Sequence, residues 1–251
     1  MSLKFLSKDY ALKIMIVFLL ISFTFVRVEA DNTSHRILLI TDSHGLGPYG
    51  EKLDQLFRTI ENSHSYTYAI GGTAPWQWIN PYTRWVSSRS YIDSGKFGES
   101  PLPSNRENIK KTKTPMFKDL LTSLQNLSGE KYVVISLGSN HQHTDWGLNF
   151  LKNNVSKMVK MVEEFNYHCL WIGPPKMRRW DRRGIDYYRI TIDTIREGLG
   201  ERCEYFDSTL VTNYPSIGGD GVHYANTPEH RKVAFNWALQ VFETFQNGKL
   251  K

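Results

Sequence analysis

The chain has 251 residues, with 31 Lys and Arg side chains against 25 Asp and Glu, and carries a formal net charge of +6 at pH 7. This length fits one sizeable domain with a buried core. The excess of positive charge is mild, and the basic residues are not interleaved with aromatic residues in any recognised nucleic-acid-binding motif. We therefore expect no nucleic-acid partner.

The first 30 residues have the features of an export signal. The start is basic, with Lys4, Lys8 and Lys13. Residues 14–26 form an uninterrupted run of apolar residues with Ser and Thr, about 13 residues long and short of the ~20 that a transmembrane helix needs. Small residues follow at 28–30, so Asp31 is the expected mature N-terminus. We predict a signal peptide at 1–30, a mature domain at 31–251, export to the periplasm or the medium, and no stable membrane insertion after removal of the signal. An uncleaved anchor is the alternative.

Short apolar runs alternate with longer amphipathic segments along the rest of the chain. The predicted strands are 37–41, 66–70, 132–137, 169–172 and 203–206. The predicted helices are 49–60, 116–127, 148–165, 186–199 and 227–246. The strands are continuously apolar, which is typical of a parallel sheet covered on both faces. The pattern predicts a three-layer α/β/α sandwich with a five-stranded parallel sheet.

Two cysteines, Cys169 and Cys203, open the fourth and fifth predicted strands. If those strands are neighbours in register, a disulfide could join them, and an oxidising compartment would allow it. Two buried free thiols are the alternative.

Two connections carry residues suited to substrate contact. Residues 73–115 form an unusually long connection that contains Trp76 and Trp78, and loops of this length are often functional. A second connection, at 173–183, combines Trp180 with several basic residues. Aromatic faces could stack on sugar rings or hold an acyl chain, so we predict substrate contacts at all three tryptophans. Packing of the loops onto the body of the domain is the alternative.

Four short polar segments, at 41–45, 71–73, 138–140 and 220–223, follow the predicted strands. The loops at one edge of a parallel sheet would bring them together. Ser43 comes directly after the first strand, where α/β sheets place their ligands. Asp220 precedes His223 by three residues, and one tight turn can join the carboxylate to the imidazole and fix its tautomer. These residues predict a Ser-His-Asp triad for acyl transfer.

The same edge supplies candidate donors for an oxyanion. The backbone N–H of Ser43, the backbone N–H of Gly72 and the side-chain amide of Asn140 come from the ends of the first three strands. Gly72 has no side chain to keep a substrate away from its backbone. Gly71 is an alternative to Gly72, and Asn140 as a simple turn residue is the alternative to an oxyanion role.

Together these segments resemble the SGNH hydrolase superfamily, also called GDSL-type esterases. The blocks of that family fall in its order on Ser43, Gly72, Asn140, Asp220 and His223. The resemblance covers essentially the whole predicted mature chain. It implies a flavodoxin-like sheet and serine esterase chemistry that needs neither a metal nor a cofactor.

The chain departs from the family pattern at two positions. Thr41 stands where the G-D-S block of the family usually begins with Gly. His141 stands where an Asp commonly follows the Asn of the G-x-N block. Neither departure removes a group of the predicted triad. The G-x-S-x-G elbow of the α/β-hydrolases is absent from the sequence, which disfavours that other family of serine esterases.

A metallophosphoesterase is a rival interpretation of part of the same sequence. Asp42, His44, His141 and His143 resemble two of the metal-binding blocks of calcineurin-like phosphoesterases. However, the bridging Asp expected after the second strand is missing between 71 and 78, and no later G-H-x-H block follows.

We therefore expect an exported serine esterase that acts on acyl esters, with O-acetyl groups on peptidoglycan or another envelope polysaccharide as the first hypothesis for its substrate. An acylated glycan or a small ester would then be its partner. Lipid esters or thioesters, and transfer of the acyl group to a sugar hydroxyl, are alternatives on the same fold. A non-catalytic glycan-binding protein is an alternative of a different class.

Overall fold

A computed structural model describes residues 34–80, 85–87, 91–93, 111–113, 116–181, 186–224 and 227–249. The predicted signal peptide at 1–30 lies outside the described residues, as does much of the long connection at 73–115. In the part of the chain that is described, no helix is long and apolar enough to cross a membrane.

The centre of the domain is a parallel β-sheet. In chain order the strands are β1 (His35–Thr41), β2 (Ser63–Ile70), β3 (Trp85–Ser87), β4 (Tyr91–Asp93), β5 (Lys111–Lys113), β6 (Glu130–Ser136), β7 (His168–Ile172) and β8 (Glu204–Phe206). The main sheet has the order β4-β2-β1-β6-β7-β8, in which the last five strands are parallel. Those five have the flavodoxin-like order 2-1-3-4-5. The predicted fold class is confirmed.

The sheet has one strand that the sequence analysis missed. Strand β4 pairs antiparallel with β2 and forms one edge of the main sheet. Strands β3 and β5 form a separate antiparallel pair. All three are only three residues long and lie in the connection predicted as a loop.

Seven helices and two short 3-10 helices surround the strands within the described ranges. The helices are α1 (Pro48–Phe57), α2 (Pro75–Ile79), α3 (Phe117–Gln125), α4 (Asp145–Glu164), α5 (Arg178–Asp181), α6 (Tyr187–Leu199) and α7 (Pro228–Lys249). The 3-10 helices are Ser43–Leu46 and Ser208–Leu210. Helix α1 packs against α7, and α4 packs against α6. The five long predicted helices are present with ends shifted by a few residues.

Strand β1 shows why continuously apolar strands suit this fold. Ile37 and Leu39 belong to one buried cluster, together with Trp237 of α7. Leu38 and Ile40 point to the opposite face and belong to a second cluster with residues of α3 and α4. All four side chains are completely buried, because helices cover both faces of the sheet.

A buried carboxylate ties helix α1 to strand β2. Asp54 accepts hydrogen bonds from the guanidinium of Arg58 at 2.7 Å and from the hydroxyls of Ser65 at 2.9 Å and Thr67 at 2.7 Å. A buried charge needs such partners, because leaving it unpaired is very costly. This network fixes the helix that follows Ser43 against the strand that leads to Gly72.

Strands β7 and β8 are parallel neighbours, with Leu170 opposite Glu204. The preceding residues, Cys169 and Cys203, form a disulfide in the structure. The bond closes a loop that contains all of α6.

Candidate active site

The site begins where β1 ends. Asp42 is extended and caps the 3-10 helix Ser43–Leu46, with its carboxylate accepting a hydrogen bond from the N–H of His44 at 3.0 Å. Asp is preferred at this position because its carboxylate accepts a hydrogen bond from a free N–H group of the first helical turn. The cap places Ser43 at the carboxyl edge of the sheet, where the prediction put it.

The structure brings Ser43, His223 and Asp220 into one hydrogen-bonded chain. Nε2 of His223 lies 2.9 Å from Oγ of Ser43, and Nδ1 lies 2.6 Å from Oδ2 of Asp220. Since the carboxylate only accepts, Nδ1 carries the proton and Nε2 is left to accept from the serine hydroxyl. The three side chains are 180 and three residues apart in the sequence but have the geometry of a nucleophile, a base and an orienting acid.

The carboxylate of Asp220 is held in its charged form. Burial raises its pKa, but hydrogen bonds from the ring and the N–H of His223 and from the N–H of Val222 outweigh it and lower the pKa to about 2. The two backbone donors lie 2.7 and 2.8 Å from Oδ1. Gly221 has a φ of +84°, a conformation that favours glycine and lets the chain turn back on the carboxylate.

Arg178 holds the loop that leads into this turn by hydrogen bonds to its carbonyl groups. Its guanidinium donates to the carbonyl oxygens of Ser216 at 2.7 Å and Gly218 at 2.9 Å, with longer contacts to two neighbouring carbonyls. The next residue, Arg179, donates its backbone N–H to the carbonyl of Gly221 at 2.9 Å. One short helix, α5, therefore contacts both sides of Asp220.

Tyr214 fixes the turn from the other side. Its hydroxyl accepts from the N–H of Gly221 at 3.0 Å and donates to the carbonyl of His223 at 2.9 Å. Because a single hydroxyl bridges two backbone groups, it sets the spacing of the residues between Asp220 and His223.

The two other candidate oxyanion donors lie beside the serine. Gly72 has a φ of +76° and is exposed, and a side chain there would extend into open space. The amide nitrogen of Asn140 donates to Oδ2 of Asp42 at 3.1 Å and to the carbonyl of Thr73 at 3.0 Å. Both hydrogens of this amide thus have acceptors, a contact that the sequence analysis did not foresee.

Two buried titratable groups lie behind the serine. Burial raises the pKa of Asp42 to about 6, against the hydrogen bond from the N–H of His44 and the nearby His223. Burial lowers the pKa of His44 to about 3, and its ring centroid lies 5.5 Å from that of His223. His44 is therefore neutral at pH 7.

The histidines that suggested a metallophosphoesterase make other contacts. The ring of His141 uses Nδ1 toward the carbonyl of Gly138 at 2.9 Å and Nε2 toward the hydroxyl of Thr191 at 3.2 Å. The ring of His143 packs on the edge of Trp180 at 5.1 Å. Among the described residues, no three His, Cys, Asp or Glu side chains are grouped so that they could hold a metal ion.

The three predicted substrate-contact tryptophans have different positions. Trp180 lines a cavity of about 460 Å³ that also contains the serine, the carboxylate and the imidazole of the triad arrangement. Trp76 lines a second cavity of about 610 Å³. Trp78 is completely buried in the hydrophobic core, and its prediction as a substrate contact is wrong. It packs the short helix α2 onto the sheet instead.

Two residues of the second cavity were missed by the sequence analysis. Trp146 is 66% exposed and stacks on Phe150, with ring centroids 5.1 Å apart. They are four residues apart near the start of α4, a spacing that places side chains on one helix face. This spacing could have pointed to an aromatic pair, but not to its position beside Asn140.

Known structures are similar to this chain. A member of the lipolytic protein G-D-S-L family from Veillonella parvula DSM 2008 matches with a TM-score of 0.50 and 13% identity, over 84% of this chain and 99% of that chain. A candidate SGNH hydrolase from Slackia heliotrinireducens matches with a TM-score of 0.51 and 16% identity, over the same shares of the two chains. No protein-family model and no curated protein matches the sequence.

These similarities show the fold. The chain has the fold of the SGNH, or GDSL-type, hydrolases, as the sequence blocks predicted.

Proposed function

We propose that this protein is a serine hydrolase of carboxylic esters, with Ser43 as nucleophile, His223 as general base and acid, and Asp220 as the group that orients the imidazole. The observation that carries the proposal is the continuous chain of hydrogen bonds from Asp220 through His223 to Ser43, at 2.6 and 2.9 Å. An SGNH hydrolase fold with this chain at the carboxyl edge of its sheet supports an esterase more than a binding protein.

In the first half of the reaction, Nε2 of His223 takes the hydroxyl proton as Oγ of Ser43 attacks the ester carbonyl carbon. The imidazolium then gives this proton to the oxygen of the leaving alcohol, and the acyl group stays on Oγ. In the second half, water loses a proton to Nε2 as it attacks the acyl-enzyme. The acid leaves and Ser43 regains its proton.

The oxyanion of each tetrahedral intermediate needs donors. The N–H of Ser43 opens a 3-10 helix, where the first donors have no acceptor within the helix. Gly72 presents its backbone to the cavity, and the amide of Asn140 is the third donor. Asp42 and Thr73 accept both hydrogens of the amide. The amide therefore donates to the oxyanion only after one of these two hydrogen bonds breaks.

The finer proposal is that the enzyme is exported and that its substrate is one of two: O-acetyl groups on an envelope polysaccharide such as peptidoglycan, or an ester or thioester of a longer acyl chain. The basic and apolar start of the chain supports export. Exposed Arg179 at the triad cavity offers a positive charge to an acidic sugar polymer, while Trp180 in the same lining is largely buried. Longer acyl esters or thioesters are the second candidate, which the uncharged cavity next to Asn140 favours.

A fluorophosphonate probe tests the proposal, because it reacts with activated serines. We expect the wild-type protein to be labelled and Ser43→Ala to remain unlabelled, with p-nitrophenyl ester hydrolysis lost in the same variant. Activity that survives Ser43→Ala but disappears with a chelator would contradict the proposal and favour the metallophosphoesterase interpretation. Release of acetate from an O-acetylated polysaccharide tests the first of the two candidate substrates.

A further inference from the structure

The cavity of about 610 Å³ adjoins the cavity of the triad arrangement. The two share three lining residues, Gly72, Asn140 and His141. Its volume lies within the range of about 300–1,000 Å³ that is usual for small-molecule sites. Two of the shared residues are the candidate oxyanion donors, so a carbonyl group bound to them lies at the boundary between the two cavities.

The lining of this cavity is aromatic and uncharged. Trp76, Trp146 and Phe150 supply the aromatic surface, and the ring of Phe150 lies 6.1 Å from Trp76 and 5.1 Å from Trp146. No Asp, Glu, Lys or Arg is present among the described residues of the lining. Burial lowers the pKa of His141 to about 4, so it too is uncharged at pH 7. This contrasts with the triad cavity, which contains Arg179 and Asp220.

Three of the polar side chains in the lining make hydrogen bonds within the fold, while exposed Gln142 lies at its polar edge. Gln77 accepts a hydrogen bond from the N–H of Ala74 at 2.6 Å, and Asn154 donates one to the carbonyl of Phe150 at 2.6 Å. The amide of Asn140 is held by Asp42 and Thr73. A sugar ring needs several such groups to bind its hydroxyls, whereas an alkyl chain needs only apolar surface.

We propose that this cavity, defined by Trp76, Trp146, Phe150 and Leu151, binds the acyl chain of the ester, and that the preferred acyl group is several carbons long rather than acetyl. The inference rests on the proposed function, because it takes Gly72 and Asn140 as the groups that hold the carbonyl oxygen. With that oxygen fixed, one substituent of the carbonyl carbon extends into the apolar cavity. The leaving alcohol occupies the triad cavity beside Arg179.

Two fluorophosphonates that differ only in their alkyl chain, ethyl and decyl, test this subsite without knowledge of the natural substrate. The rate of covalent labelling of Ser43 is measured for each by intact-protein mass spectrometry. We expect the decyl probe to react at least about tenfold faster, since each additional methylene in an apolar pocket adds to transition-state binding. Equal rates, or faster reaction of the ethyl probe, would overturn the acyl-chain subsite while leaving the proposed function intact.

The variant Phe150→Glu places a charge in the cavity at a half-exposed position on α4. We expect it to lower the ratio of decyl to ethyl labelling rates by at least about tenfold, because the chain must then bind beside a carboxylate. Leu239→Glu is the matched control: Leu239 is 40% exposed against 36% for Phe150, also lies on a helix, and lines neither cavity. The control should keep the wild-type ratio.

The remaining outcomes are also decisive. A ratio of decyl to ethyl labelling rates that does not change in Phe150→Glu would overturn the subsite. Slower acetate release from an O-acetylated polysaccharide in this variant, without any chain-length preference, would also overturn it and would make the cavity a glycan site. Absence of labelling at Ser43 by either probe would instead overturn the proposed function itself, and the subsite with it.

Discussion

The side-chain amide of Asn140 donates a hydrogen bond to the buried carboxylate of Asp42, 98 residues earlier in the chain. The same carboxylate caps the helix that begins at Ser43. One acidic side chain thus positions the first turn around the proposed nucleophile and the amide proposed as an oxyanion donor. Neighbouring parts of the site are coupled through a group that is itself almost inaccessible to solvent.

The buried carboxyl group predicts a specific pH dependence of stability. The pKa of Asp42 in the folded protein, about 6, lies above its ordinary value of 3.8, so folding favours the protonated form. The contribution of the Asp42 carboxyl to the free energy of unfolding is therefore complete below about pH 4 and is lost as the pH rises through 6. At about 1.4 kcal/mol for each pH unit, the loss is on the order of 3 kcal/mol.

Asp42→Asn removes this titration. We expect the free energy of unfolding of the wild-type protein, relative to that of the variant, to fall between pH 4 and pH 7 in urea titrations. Asp119→Asn, at an exposed position on α3, is the matched control. A difference between wild type and Asp42→Asn that is the same at every pH would contradict this account of the buried carboxyl.

Asp220→Asn should lower kcat by about 10³-fold or more. An amide can replace the carboxylate in shape, but it no longer stabilises the imidazolium and can favour the wrong tautomer of His223. Steady-state kinetics with a p-nitrophenyl ester measure the effect, and Asp193→Asn, at an exposed position on α6, is the control. A loss below about tenfold would mean that Asp220 has no orienting role.

Arg178→Met should lower kcat by about tenfold or more and leave KM within about twofold. The guanidinium binds the carbonyls of Ser216 and Gly218 in the loop before Asp220, and a methionine keeps an unbranched apolar stem but none of the donors. Kinetics on this variant and on Arg189→Met, whose ion pairs are exposed on α6, compare the two arginines. Equal behaviour of the two would show that the loop keeps its position without Arg178.

The disulfide should contribute about 4 kcal/mol to stability. It closes a loop of 34 residues, and the chain-entropy relation for a loop of this size gives that magnitude. Urea unfolding of the double variant Cys169→Ser with Cys203→Ser measures the loss. Dithiothreitol should lower the stability of the wild-type protein and leave the double variant unchanged. Wild-type stability that is insensitive to the reductant would contradict the prediction.

The fold was largely predictable from the sequence because most of the parallel strands contain a run of apolar residues. The short strands β3, β4 and β5 were not, because three-residue strands in a stretch of mixed aromatic and basic residues have no such run. Strand β4 depends on pairing with the edge strand β2, and β3 and β5 depend on pairing with each other, rather than on local pattern.

The site was predictable where local sequence determines it. Asp220 and His223 lie three residues apart, so one turn joins them, and Ser43 closely follows a strand whose end could be predicted. Trp78 was misassigned because an aromatic side chain two residues beyond Trp76 has the same local pattern whether it points to the core or to a cavity. The contact of Asn140 with Asp42 depends on the register of two strands, which no local pattern encodes.

The most direct test of the central claim is to trap the acyl-enzyme. The protein is mixed with p-nitrophenyl octanoate, quenched in acid within the first turnovers, digested and analysed by mass spectrometry. Our account predicts an added octanoyl group on the peptide that carries Ser43, and no such adduct in Ser43→Ala. Ester hydrolysis that proceeds at the same rate in Ser43→Ala, or an adduct that maps to another residue, would contradict it.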